Sequence, residues 1–138
     1  MGLVLDTSVL IFAERQALNV SEVLDRLQKQ HSVTRIVLSA ISVVELEHGL
    51  YRAQSPQQLV KRSQYLDTVF EAIAVESFTS EIGRVVAKVD AEARKQGLMI
   101  PFADLLIGGT ALHFGYGLAT RNEGHFRMIP NLRVHSFR

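Results

Sequence analysis

The sequence predicts an α/β domain of three layers, helices packed on both sides of a mostly parallel central sheet. Three observations carry that prediction. Short apolar runs of strand length, GLVL at 2–5, RIVL at 35–38 and AIAV at 72–75, alternate with longer stretches of helical period, the order expected of β–α–β units. Several of those helical stretches are preceded by Ser or Thr, the residues that best cap a helix start. One stretch, IPFADLLIGGTALHFG at 100–115, is apolar on nearly every face, so it belongs inside the protein rather than on its surface.

Taken in order, the first run ends at Asp6 and reads as a buried strand, with Thr7 and Ser8 as caps for the helix VLIFAERQ. A carboxylate at the carboxyl end of such a strand lies where open α/β sheets hold their ligands. With two hydroxyls at hand for capping, Asp6 is free for another role. Ser21 is expected to cap VLDRLQKQ, in which Val23, Leu24 and Leu27 share a face. After the strand Arg35–Leu38, Ser42 and Glu45 form S-x-x-E, the pattern of a reciprocal cap. Glu45 is therefore either the partner of the Ser42 amide or a member of a site. The helix VVELEHGLYRA turns Val43, Leu46 and Leu50 inward. Ser55-Pro56 starts the next helix, with Leu59, Tyr65, Leu66 and Phe70 as its core side.

Ala72 to Val75 reads as a third strand, and Thr79 caps a long helix whose apolar side is Ile82, Val85, Val86 and Val89, stopped by Gly97. Pro101 begins the all-apolar helix, placing Asp104 in its first turn, where an acid answers the helix dipole. Gly115 ends that helix, LAT at 118–120 is a short strand, and Arg121 to Phe126 forms a polar turn past its carboxyl end. Leu132 to Phe137 alternates as an edge strand does.

At 138 residues the chain fits one domain, spanning 1–138. It has no cysteine, so any metal must be held by oxygen or imidazole. No apolar window has the length of a membrane span, and Asp6 interrupts the apolar N-terminus before it could act as a signal peptide. A cytoplasmic protein is expected. Net charge is only +1, but from His113 onward Arg121, Arg127, Arg133 and Arg138 face a single acid, Glu123. That basic end is either a surface for phosphates or a solvated face.

Asp6 ends the first strand, Glu45 opens the helix after the second, and Asn122 follows the fourth. In a right-handed parallel sheet these positions emerge at one edge. Asp104 follows a helix, so topology alone does not bring it there. Carboxylates drawn together in apolar surroundings repel, and a divalent cation relieves them. Oxygen ligands without thiolates favour Mg²⁺ or Mn²⁺ over zinc. Such a site supports phosphoryl transfer.

The segments VLDTSVLI around Asp6, ISVVELEHGL around Glu45, IPFADLLIGGTAL around Asp104 and LATRNEGHFRMIPNLRV near the end resemble, in wording, order and spacing, those of PIN-domain ribonucleases. Within that group they are similar to the VapC toxins of type II toxin–antitoxin systems. The resemblance covers essentially the whole chain. It implies a PIN-like α/β/α fold, Asp6 and Asp104 as metal ligands, Glu45 as the third catalytic acid, and the start of the Asp104 helix turned to the same pocket. It further implies a Mg²⁺-dependent endoribonuclease acting on structured cellular RNA such as tRNA or rRNA, held inactive by a VapB-like antitoxin, and a homodimer. Thr7, Ser8, Thr120, Arg121 and Asn122 are the accompanying residues for positioning substrate or water.

One departure stands out. Many PIN nucleases carry a fourth acid where this chain has Asn122, with His125 three residues on. An amide can orient water but cannot neutralise charge, and Glu123 is expected to point elsewhere. The competing reading is a non-catalytic PIN-like module that binds a protein partner or RNA. A haloacid-dehalogenase-type phosphatase would need a second aspartate two residues after Asp6, where Ser8 stands.

Overall fold

The computed structural model describes residues 1–138. Its elements are β1 (Gly2–Leu5), α1 (Thr7–Arg15), α2 (Val20–His31), β2 (Arg35–Ser39), α3 (Ala40–Tyr51), α4 (Pro56–Ala72), β3 (Ala74–Glu76), α5 (Ser80–Lys95), α6 (Phe102–Phe114), β4 (Gly117–Thr120), α7 (Glu123–Phe126) and β5 (Val134–Ser136). The strands form one sheet in the order β3-β2-β1-β4-β5, and every pairing is parallel. The expected architecture is therefore the observed one, with the sheet parallel throughout.

Alternation along β1 divides the core between the two faces. Leu3 and Leu5 pack with Val9, Leu10, Val23, Leu27 and Val69 from α1, α2 and α4. Val4, pointing the other way, joins Ile82, Val86 and Val89 of α5 and Ile107 and Ala111 of α6. The apolar stretch at 100–115 behaves as its composition demands: every residue from Leu105 to Ala111 is buried. Gly109 lets it approach α5, because a Cβ there would lie 2.5 Å from Val86 Cγ2.

The strand order reverses between β1 and β4. Chain leaving β1 crosses to β2 on one side, whereas β4 lies on the other, so a crevice opens beyond their carboxyl ends. Asp6 follows β1 directly, and its amide donates to the Ala119 carbonyl at 2.9 Å, extending the pairing with β4. Asp6 therefore stands at the mouth of that crevice.

Several local expectations are corrected. Thr7 and Ser8 do not cap α1; the N-cap position is Asp6, whose side chain makes no capping bond. Helix α2 is capped by Asn19, in a reciprocal box with Glu22, and Ser21 lies inside its first turn. N-x-x-E serves this purpose as S-x-x-E does, and asparagine is as good a cap as serine. Helix α3 begins earlier than expected: Ser39 caps it by accepting from the Ile41 amide, and Ser42 is wholly buried with its hydroxyl unpartnered. Helix α4 continues through Ala72, which delays β3 to Ala74, and Leu59 is exposed while Val69 and Ile73 fill the core. The polar turn after β4 contains the short helix α7.

Candidate active site

Three carboxylates line one open cleft at the carboxyl edge of the sheet: Asp6 from the β1–α1 junction, Glu45 from α3 and Asp104 from α6. Helix α3 packs against both α1 and α6, and this contact brings together acids from opposite sides of the sheet.

Asp6 is 6 % exposed, and burying an ionised carboxylate requires compensation. Two hydroxyls provide it. Ser8 Oγ donates to Asp6 Oδ2 at 2.6 Å and Thr120 Oγ1 donates to the same oxygen at 2.8 Å. Each hydroxyl oxygen in turn accepts a backbone N–H, that of Arg121 on Ser8 at 3.0 Å and that of Asn122 on Thr120 at 2.9 Å. The chain after β4 is thus tied to Asp6 through two short relays. The dipole of α1 also favours negative charge at its start.

Glu45 and Asp104 are held in the same manner. Thr7 Oγ1 donates to Glu45 Oε1 at 2.8 Å, so Glu45 does not bond back to the Ser42 amide and the reciprocal-cap reading is overturned. His125 Nδ1 lies 2.9 Å from Asp104 Oδ2. That neighbour was invisible in the sequence, where His125 is 21 positions away, and only the turn of α7 over α6 makes the contact. In all three acids one oxygen is pinned by a side chain of the protein, and the other makes no hydrogen bond within the chain.

Electrostatics follow from this crowding. Burial pushes the Glu45 carboxyl above its ordinary value, the bond from Thr7 partly opposes that, and the charges of Asp6 and Asp104 add to the rise. Glu45 as a whole residue is exposed, yet its carboxyl group is partly withdrawn from water at the bond to Thr7. Burial likewise raises Asp104, the hydrogen bond from His125 opposes it, and Asp6 raises it further.

Of the accompanying residues, Thr7, Ser8 and Thr120 bond directly to the acids, and Asn122 lines the cleft. Arg121 contributes its backbone amide only. Its guanidinium turns away to the Phe137 carbonyl at 3.1 Å and lies 3.7 Å over the Phe12 ring. Glu123 does point elsewhere, to Arg127. Much of the basic end is likewise occupied internally, since Arg133 donates to the Gly115 carbonyl. Beside the apolar Ile11, two polar cleft residues were not expected from the sequence, His48 and Arg52. Their spacing from Glu45, three and seven positions along α3, was the available signal, because those positions share a helix face.

The donor set suits a hard divalent cation, since it offers carboxylate oxygens, hydroxyls and an amide without sulfur. As the side chains stand, no three acids or histidines close on a single point. An ion here would be held by one or two of the carboxylates and completed by water or substrate oxygens.

A family model described as PIN domain matches residues 3–131. The chain belongs to the PIN-domain family. Among its relatives, Ribonuclease VapC1 of Rickettsia felis is 29 % identical over 134 residues, covering 97 % of this chain and 95 % of the relative. The plasmid stability protein StbB of Pseudomonas syringae pv. tomato is 32 % identical over 130 residues, with 90 % of each covered. A solved structure of VapBC2 from Rickettsia felis, bound to a DNA fragment from their promoter, matches with a TM-score of 0.85 at 24 % identity, covering 100 % of both chains. That structural match establishes the PIN fold, and the resemblance to VapC toxins read from the four segments is shown by the family model and the VapC relatives together.

Proposed function

We propose that this PIN-domain chain is the endoribonuclease toxin of a toxin–antitoxin pair, hydrolysing phosphodiester bonds of structured cellular RNA, tRNA or rRNA. The observation that carries the reading is that three carboxylates line one cleft, each with one oxygen pinned and one left free.

Asp6 and Asp104 are the residues that would hold Mg²⁺ or Mn²⁺. When bound, the ion offsets charge on the scissile phosphate and acidifies an attacking water. Ser8 and Thr120 fix the rotation of Asp6, and His125 fixes that of Asp104, so the free oxygens are presented without rearrangement. Glu45, with its pKa raised and its Oε1 held by Thr7, is suited to take the proton of the attacking water on its other oxygen. Asn122 at the rim orients water or a phosphate oxygen through its amide but adds no charge, so a second cation would be held less firmly.

A VapB-like antitoxin is the partner this reading implies, by likeness to solved VapBC structures. A homodimer acting in the cytoplasm completes it; no helix is long and apolar enough to cross a membrane.

The test is RNA cleavage by purified protein across a Mg²⁺ series and in EDTA, beside Glu45→Gln. Glutamine can still accept from Thr7, and Ser39 rather than Ser42 caps α3, so the variant should melt as the parent does. Its cleavage should fall about a hundredfold, the scale of a lost general base. RNA that is bound but uncut at every metal concentration would instead establish the non-catalytic module.

A further inference from the structure

We propose that Arg52, held by His48, binds a backbone phosphate of the RNA beside the acidic cleft. The inference rests on reading that cleft as an RNA-cleaving site. A pocket with three carboxylates repels a polyanion, and an RNA strand can settle there only if cations flank the acids. The cationic or imidazole side chains lining the cleft are Arg52 and His48 alone. Both lie on α3 or its C-cap, one and two turns beyond Glu45, so the helix that positions the proposed base also positions them.

Arg52 is exposed, and its one side-chain hydrogen bond runs from Nη2 to His48 Nδ1 at 3.1 Å. A guanidinium can only donate, so Nδ1 must accept, which makes the imidazole neutral in this arrangement with its proton on Nε2. Two consequences follow. The charge of Arg52 is not neutralised by its partner, and four of its five N–H donors remain available, about the fork that suits phosphate oxygens. The Nε2–H of His48 is a further donor on the same face. Of the other arginines nearby, Arg62 donates to the Gly49 carbonyl, Arg121 to the Phe137 carbonyl and Arg127 to Glu123, while Arg15 lines the adjoining pocket and not the acidic cleft. Arg52 forms no ion pair with Glu45 or Glu14, although each lines a cleft with it. A phosphate contact reads no bases, so it positions the strand without selecting its sequence.

The experiment measures RNA binding by fluorescence anisotropy in EDTA over a salt series, for the parent, Arg52→Gln and Arg52→Lys, with cleavage kinetics in Mg²⁺ alongside. Arg52→Gln should bind about tenfold more weakly at low salt. Its plot of log affinity against log salt should be shallower by about 0.7 to 0.9, the value of one lost phosphate contact. The loss should be the same for RNAs of different sequence, and in cleavage it should appear in KM more than in kcat. Arg52→Lys should restore the salt slope but only part of the affinity, because an ammonium lacks the planar fork. A structural role would shift the melting curve and leave the slope alone. Equal affinity and slope in Arg52→Gln, with the parent cutting RNA, would overturn this inference and leave the nuclease reading standing. A parent that never cuts, with the slope still changed by Arg52→Gln, would overturn the nuclease reading and keep the phosphate contact.

Discussion

Thr120→Val tests whether the hydroxyl relay behind Asp6 matters as the geometry requires. Valine matches threonine in shape, so the substitution removes one oxygen and little else. Thr120 is fully buried and Asp6 nearly so, which leaves no ready path for water to replace the lost donor. A hydrogen bond to a charged group contributes about 1.5–3 kcal/mol net. The Asn122 amide also loses its acceptor, but Asn122 is exposed and water can serve it. The expected loss is therefore about 2 kcal/mol. For a domain of this size each kcal/mol moves the melting midpoint by about 3–5 °C, so the variant should melt about 6–10 °C below the parent. Asp6 would keep Ser8 as its one hydroxyl partner and turn more freely, and cleavage should fall about 10–100-fold, the usual cost of losing a group that orients a ligand. Thr120→Ser keeps the hydroxyl and should recover most of both. The assays are a thermal melt and RNA cleavage under saturating Mg²⁺. A Thr120→Val protein that melts and cuts as the parent does would refute the claim that this bond holds Asp6.

Two further outcomes follow from the charges. Asp104→Asn should abolish cleavage yet melt at or above the parent at neutral pH: burial raises the Asp104 pKa, so the folded chain holds that proton more tightly than the unfolded one, and stability declines as pH rises past the ordinary aspartate range. The variant's advantage should shrink as pH falls through the ordinary aspartate value and vanish below about pH 3, where aspartate is protonated in both states; a variant melting well below the parent at pH 7 would make Asp104 structural. His135, packed 4.6 Å from His31 between ring centroids, is pushed below the usual imidazole range, first by burial and then by His31 and Arg133. The unfolded chain then binds more protons, so stability begins to be lost as pH falls below about 6.5 and continues to fall toward the lowered folded value, and His135→Phe should flatten the drop in melting temperature between about pH 7.5 and 5.5.

The layering was legible in the residue pattern alone. Strand and helix periods, together with an all-apolar helix, specify a parallel α/β sheet because burial of those faces has few other solutions. The same pattern also singled out Asp6, Glu45 and Asp104, since acids beside apolar runs are conspicuous. Helix starts were less legible. Asn19 and Ser39 took the capping roles assigned to Ser21 and Ser42, because several residues near each start can cap and the packing of the helix decides which one does. The partners of the acids were beyond local pattern. Thr7 meets Glu45 across 38 positions, Thr120 meets Asp6 across 114, and His125 meets Asp104 across 21. Which side chain pins which oxygen depends on how α3 and α7 settle against the strand ends. That is a property of three-dimensional packing, in which residues distant in the chain compete for the same buried charge, and only the tertiary structure resolves it.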